Sequence, residues 1–390
     1  MKPRKRPSEA VPYRQNLQSY SEGQEMFYAG LDLGSKRTRV HVRDAKGTAI
    51  YSGWAHDLAE LKKTVGRWGQ ELSVTFEATT GAFFLYDELR DLVKEVKVAH
   101  PRDLRAIAHA RIKNDRLDAE KLSELARGDL IPTVWVPSAK MRDERELLLG
   151  RARLRREIRV AKVKMRALLR RWGRGTAVEK PWTQAGLEAV AKLTLPTGAK
   201  YVLDLKIEQL QQLREMERKL GGEVRARIPM GEREKWLETI PGGGEDTARA
   251  LANVMGEVSR FPDGRHVASY FGLVPSERTS CTEPRRGGIT KEGSAWMRWL
   301  LIQCAWAAIR STKKDPKAEW ATMYAQMAAR GKSKKRAIVA VANRLARVAY
   351  AVLRDRRAYE ARPPRQKEEV PEKRTKIYEL KPARPSTPSP

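Results

Sequence analysis

Apolar and polar positions alternate with a period of two in three short runs near the start of the chain. Phe27–Leu33, Arg37–Arg43 and Thr48–Ser52 read as strands, with Gly34-Ser35-Lys36 and Ala45-Lys46-Gly47 as tight connections. The period then lengthens. Leu58, Leu61, Val65 and Trp68 mark a helix, Leu72–Phe76 a strand, Phe83 to Val93 a helix, and Val96–Ala99 a strand. Two more helices are expected around Leu104–Ala110 and from about Arg116 to Arg127. An antiparallel meander followed by α/β alternation predicts one mixed α/β domain over 26–138.

Beyond it the pattern is helical. From Glu144 to Trp172, apolar residues at 154, 158, 161, 165, 168 and 172 follow a 4, 3, 4, 3, 4 spacing, a coiled-coil seam. Extended backwards, the seam meets Arg151, which breaks it. A second helix is expected over Ala199–Leu220, and the two can pair within one chain or between protomers. Together they make a coiled-coil helical region over 139–232. Ile240-Pro241-Gly242-Gly243-Gly244 opens a mostly helical unit over 233–358. This turn resembles a helix–hairpin–helix loop but has Gly243 where an apolar residue is usual, and an ordinary inter-helix loop fits equally well. Residues 1–25 and 359–390 are polar or proline-rich and are expected to be a disordered basic arm and tail.

Composition adds a partner. The chain has 390 residues, 78 Lys and Arg against 48 acids, and a net charge of +30. A fold does not need that excess, so it points to a polyanion. The charge is clustered: thirteen basic residues against four acids over 142–174, and ten against one over 330–357. The two cysteines, Cys281 and Cys304, exclude a disulfide framework or a cysteine-rich zinc module. No apolar run is long enough for a membrane span, and a cytoplasmic location is expected.

Four acids stand out. Asp32 interrupts an apolar strand, Ala-Gly-Leu-Asp-Leu-Gly, and Glu77 ends another. A carboxylate there is costly unless it binds a cation or is hydrogen-bonded. Asp115 and Asp118 are three apart at a helix start and so share a face. Converging, the four would form an oxygen cage for hard divalent ions, the arrangement that serves phosphoryl transfer. Asp115 alone could equally be a helix cap.

Gly-Leu-Asp-Leu-Gly, Phe-Glu-Ala-Thr-Thr-Gly and Lys-Asn-Asp-Arg-Leu-Asp-Ala resemble the DEDD transposases of the IS110 insertion-sequence family, over about residues 26–310. The resemblance implies a RuvC-like ribonuclease H fold domain, a coiled coil and a C-terminal transposase domain. It implies Asp32, Glu77, Asp115 and Asp118 as ligands of Mg2+ (or Mn2+). By composition alone, 276–293 is a flexible basic loop in which no hydroxyl is singled out. Its order resembles the family's second motif: Gly272-Leu273-Val274-Pro275, hydroxyls, Arg285 and Arg286, Ile289-Thr290-Lys291, then a helix with Arg298. The resemblance then implies Ser280 as a nucleophile that holds DNA covalently, with Cys281 in place of the usual glycine and Ser276 and Thr279 as the other hydroxyls. Such a serine needs activation, which a cation on the acids would supply if the two regions meet in an assembled complex. Arg285, Arg286, Lys291 and Arg298 become candidate nucleic-acid contacts. Donor and target DNA, an element-encoded guide RNA and a dimer or tetramer follow as expected partners. The alternatives are a RuvC-type junction nuclease that uses water, and a nucleic-acid-binding protein without activity.

Overall fold

The computed structural model describes residues 26–107, 115–280, 283–312 and 319–361. The arm expected over 1–25 and the tail from 362 lie outside them. The chain divides into two compact units, residues 1–138 and 139–390.

The first unit is built on β1 (Phe27–Leu33), β2 (Thr38–Arg43) and β3 (Ala49–Ala55), then α1 (Leu58–Val65), β4 (Leu72–Glu77), α2 (Ala82–Leu89), β5 (Glu95–Ala99), α3 (Pro101–Ile107) and α4 (Asp115–Arg127). The sheet order is β3-β2-β1-β4-β5. The first three strands are antiparallel, while β1, β4 and β5 are mutually parallel. Strand alternation gives the sheet two different faces. Ala29, Leu31, Val40, Val42, Val74 and Phe76 pack with Leu61, Val65, Leu85 and Leu89 in an apolar core. Tyr28, Gly30 and Asp32 point the other way, towards α4.

Gly30 is where α4 comes closest. A Cβ there would stand 2.1 Å from the Ala119 carbonyl oxygen and 2.6 Å from the Ser123 nitrogen. Ser123 is fully buried on this face. Its hydroxyl donates to the Glu120 carbonyl (2.7 Å) and accepts from Arg43 Nε (3.0 Å). With its one proton so used, the 2.9 Å contact to His41 Nδ1 has the imidazole donating.

The second unit begins with a helical hairpin, α5 (Ala139–Arg171), α6 (Gln184–Ala191) and α7 (Thr197–Arg227). Helix α6, absent from the sequence reading, is capped by Thr183 and buries Leu187 and Val190. Helices α5 and α7 run antiparallel within one chain. Leu148 clusters with Val224 and Ile228, whereas Ala161, Met165 and Leu169 cluster with Leu203, Ile207 and Leu210. The buried stripe departs from the expected seam: Leu169 replaces Leu168 as the buried residue, and Trp172 is 44% exposed. A 3.6-residue helix drifts away from a seven-residue repeat, so the stripe moves by one position along its length. Arg151, the break in the seam, is ion-paired to Glu217 (2.9 Å) and to Asp246, and Arg155 reaches the same two acids at 2.8 and 2.7 Å. Burial works to raise the Glu217 carboxyl, but hydrogen bonds from Arg155 and Arg151 hold it below the ordinary carboxylate value.

The rest comprises α8 (Glu232–Glu238), α9 (Glu245–Met255), α10 (Gly264–Tyr270), β6 (Pro275–Ser280), β7 (Glu283–Ile289), α11 (Ala295–Thr312), α12 (Glu319–Ala329) and α13 (Lys334–Asp355). Phe271, Met297, Leu301, Trp320 and Leu345 are among its core residues. The segment expected to be a flexible loop is instead a two-stranded antiparallel ribbon, β6–β7, with a bulge between Pro275 and Glu277. Backbone pairing gives it an order that composition does not encode. Among the described residues no helix is long and apolar enough to cross a membrane.

Gly30→Ala is expected to destabilise the first unit by about 3 kcal/mol, the upper range for overpacking against rigid backbone. Urea unfolding of wild type and variant measures it.

Candidate active site

Pairing across the sheet sets one transverse row. Asp32 pairs with Arg39, and Arg39 pairs with Trp54. Leu31 pairs with Phe76, so the next step in the same register puts Asp32 beside Glu77. Trp54, Arg39, Asp32 and Glu77 thus cross four strands at one level and on the α4 face. Both acids stand at the carboxyl ends of parallel strands, where ligands of open α/β sheets bind.

The direction of α4 brings a third acid to this level. Ser123 contacts His41 and Arg43, and Arg127 lies near Ala45 and Gly47, so α4 runs opposite to β1. Asp118 precedes Ser123 by five residues, about 7.5 Å of helix. Asp32 lies two residues beyond Gly30, about 6.6 Å of strand. Asp118 is half-buried and has no hydrogen-bond or ion-pair partner among the described residues. Asp115 begins α4, one turn earlier, and its side chain is outside the description.

Like charges side by side on neighbouring strands are destabilising, and a half-buried carboxylate without a partner is costly. A hard divalent cation relieves both, and oxygen-only donors suit it. The residues present therefore fit such an ion. Among the described residues no three acid, His or Cys groups are already drawn together as a ligand cluster.

In the second unit the sequence-predicted residues gather on and below the β6–β7 ribbon. Ser280 is the last residue of β6 and its backbone pairs with Glu283. Arg285 and Arg286 pair with Arg278 and Glu277 along the ribbon. The side chains of Ser280, Thr279, Arg285 and Arg286, and all of Cys281, lie outside the described residues. Ser276 is engaged, its hydroxyl donating to the Gly288 carbonyl at 3.0 Å and closing the bulge.

The ribbon stands on a tight base. Gly272 (φ +64°) and Gly293 (φ +66°) interlock: a Cβ on Gly272 would stand 2.2 Å from the Glu292 carbonyl, and one on Gly293 2.1 Å from that of Tyr270. Only glycine adopts such a φ without strain. Lys291 nevertheless sits at φ +58° in the same turn and is exposed. Arg298 is directed inwards. Its Nη1 donates to the carbonyls of Phe271 (3.3 Å), Gly293 (3.1 Å) and Glu292, and burial lowers its affinity for its proton. The glycine turn at 242 is also explained by packing. Gly242 (φ +80°) lies against α11, where a Cβ would meet the Cys304 carbonyl at 2.2 Å.

The basic helix α5 divides in two. Arg145, Arg151 and Arg155 are bound to groups within their own unit. Arg153, Arg156, Arg159, Arg170 and Arg171 are exposed and have no ion-pair partner among the described residues. Helix α7 pairs cations with its own acids, as in Lys200–Asp204 and Arg227–Glu223.

Carboxylates at the carboxyl ends of β1 and β4, and arginines left unneutralised on α5, are features that phosphoryl transfer on nucleic acid would use. A model for DEDD transposases of the IS110 type matches residues 29–173, and one for the transposase IS116/IS110/IS902 family matches 234–321. A probable family 20 transposase of Pseudomonas aeruginosa is 30% identical over 83% of this chain and 96% of its own length. A putative transposase of Sinorhizobium fredii, y4qE, is 26% identical over 85% and 89%. The transposase for insertion sequence element IS1111A of Coxiella burnetii is 29% identical over 73% and 79%. The chain belongs to the IS110 family of transposases and is a DNA transposase. Its DEDD domain type points to a divalent metal.

Arg298→Ala removes the clamp on three carbonyls. Amide hydrogen exchange at Lys291–Gly293 is expected to rise while exchange in the α13 core stays unchanged.

Proposed function

We propose that the chain catalyses insertion-sequence transposition by strand cleavage and exchange through a covalent phosphoserine intermediate. The observation that carries the metal half of this reading is the Asp32–Glu77 pair with Asp118 approaching on α4. A β3-β2-β1-β4-β5 sheet with three parallel strands supports a RuvC-like ribonuclease H domain over 26–138. In this reading 139–232 is the helical arm and 233–358 the transposase domain. Asp32, Glu77, Asp115 and Asp118 hold Mg2+ (or Mn2+), which when bound supplies positive charge against the phosphodiester oxygens. The carboxylates bind and orient; the exposed α5 arginines and Lys291 attract the backbone.

Ser280, at the tip end of β6, attacks phosphorus. One P–O ester bond breaks, the released sugar hydroxyl takes up a proton, and the serine proton passes to solvent. The phosphodiester energy is kept, so strands rejoin without a nucleotide cofactor. Arg285 and Arg286 on β7 neutralise the phosphate, and Arg298 positions the loop that presents Lys291. An element-encoded structured RNA guides the choice of donor and target DNA, and the active form is a cytoplasmic dimer or tetramer.

Asp32→Asn is expected to abolish strand cleavage while nucleic-acid binding stays within about twofold, because binding rests on Lys and Arg contacts to phosphate and remains strongly salt-dependent. Cleavage at the wild-type rate would overturn the metal assignment. Ser280→Ala tests the other half on a denaturing gel with labelled donor DNA. Wild type gives a protein-linked band and the variant gives none. If wild type cuts and never forms that band, water is the nucleophile, and the chemistry is that of a RuvC-type junction nuclease.

A further inference from the structure

The row that holds Asp32 and Glu77 continues outwards into a group of cations that the acidic site does not explain. Arg39 stands beside Asp32, and Trp54 stands beside Arg39. Arg37 leaves the β1–β2 turn and lays its guanidinium on the Trp54 ring, 3.8 Å from the ring centre. Arg39 approaches the same ring at 5.1 Å, and donates to Ser52 Oγ at 2.7 Å. One indole therefore carries two guanidiniums, and Lys36 sits next in the turn.

Packing alone does not call for this. One cation on an exposed ring contributes only about 0.5–1 kcal/mol, and the second brings like-charge repulsion. Arg37 is exposed, and its guanidinium has no hydrogen-bond or ion-pair partner among the described residues. The turn fixes its backbone: Gly34 N–H donates to the Arg37 carbonyl at 3.1 Å, and a Cβ on Gly34 would stand 2.6 Å from that oxygen. Stacking fixes the plane of the guanidinium and leaves its in-plane N–H groups free. A planar fork with free edges matches a phosphate.

We propose that Arg37, held flat by Trp54, is a phosphate clamp that positions the nucleic-acid strand entering the Asp32–Glu77 site. The clamp rests on the reading of that site as the place of strand cleavage. Its position sets which phosphate it takes. Trp54 stands two strands from Asp32, roughly 10 Å at the usual interstrand spacing. A stacked strand advances about 3.4 Å per nucleotide. The clamped phosphate is therefore two or three nucleotides from the scissile one, and Arg39 lies between them. The contact is to backbone, so it orients the strand without reading sequence.

The test uses the full chain and two readouts. The first is binding of a short fluorescein-labelled DNA single strand in metal-free buffer, followed by anisotropy. Arg37→Ala is expected to weaken binding roughly tenfold, the size of one charge-assisted hydrogen bond. Arg37→Lys keeps the charge without the flat fork and is expected to recover part of the loss. Trp54→Ala is expected to behave like Arg37→Ala, and Trp54→Phe, which keeps a ring, to lose less. Equal binding by Arg37→Ala and wild type overturns the clamp.

The second readout maps the cut on DNA flanking the gene, then places single neutral methylphosphonates around it. In wild type a methylphosphonate two or three nucleotides from the cut slows cleavage. In Arg37→Ala the unmodified DNA is already slow and the same methylphosphonate adds nothing. If the variant stays as sensitive as wild type at that position, another group holds the phosphate and the proposal fails. Asp32→Asn separates the two ideas: cleavage by that variant sinks the acidic-site reading, while the metal-free binding comparison still decides the clamp.

Discussion

The approach of α4 to Gly30 is the constraint on which the first unit depends. With no side chain at that position, the Ala119 carbonyl sits where a Cβ would be. The contact sets how low the helix lies on the sheet, and His41, Arg43 and Ser123 set how far along it lies. His41 and Ser123 are buried and would be costly without partners; the Ser123 hydroxyl joins them to each other and to the half-buried Arg43 in a single register. A slide of α4 by one turn would break all of these contacts. Asp118 therefore reaches the level of Asp32 and Glu77 as a consequence of packing several residues away.

The same division between packing and chemistry runs through the arginines. Where an arginine has a partner inside its own unit it behaves as structure. Arg151 and Arg155 tie α5 to α7 and α9 through two shared acids, and Arg298 gathers three carbonyls under the β6–β7 ribbon. Where the partner is missing, as along the outer face of α5 and at Arg37, like charges accumulate without local compensation. Accumulated charge of that kind is a cost to the folded chain alone and a gain on a polyanion. The distinction cannot be made from composition, because both kinds of arginine occur in one helix, one or two residues apart.

The ribbon whose first strand ends at Ser280 stands on a rigid base. Gly272 and Gly293 each fill a position that no Cβ can enter, and their interlock anchors both ends of the ribbon. Lys291, at a positive φ that only glycine adopts freely, is held within this base. Strain at a non-glycine residue persists only where the surroundings over-determine it, and here the carbonyls around it are bound by Arg298.

Local physics was legible in the chain itself. Period-two alternation marked β1 and β2 within a residue and β3 up to three residues short of its end, and an acid inside the apolar run of β1 was conspicuous because burying it unpaired is costly. The α5 and α7 helices were visible in their apolar spacing, although their exact buried stripe was not, since it depends on the drift of a real helix against its partner. Helix α6 was too short to show a period, and the β6–β7 ribbon reads as a loop because its order comes from cross-strand pairing and a glycine base rather than from hydrophobic alternation. By itself the sequence determined which residues are acidic, basic or apolar and the period at which they recur. Only the tertiary structure decided that Trp54, Arg39, Asp32 and Glu77 form one row, because register is a relation between strands that are distant in the chain.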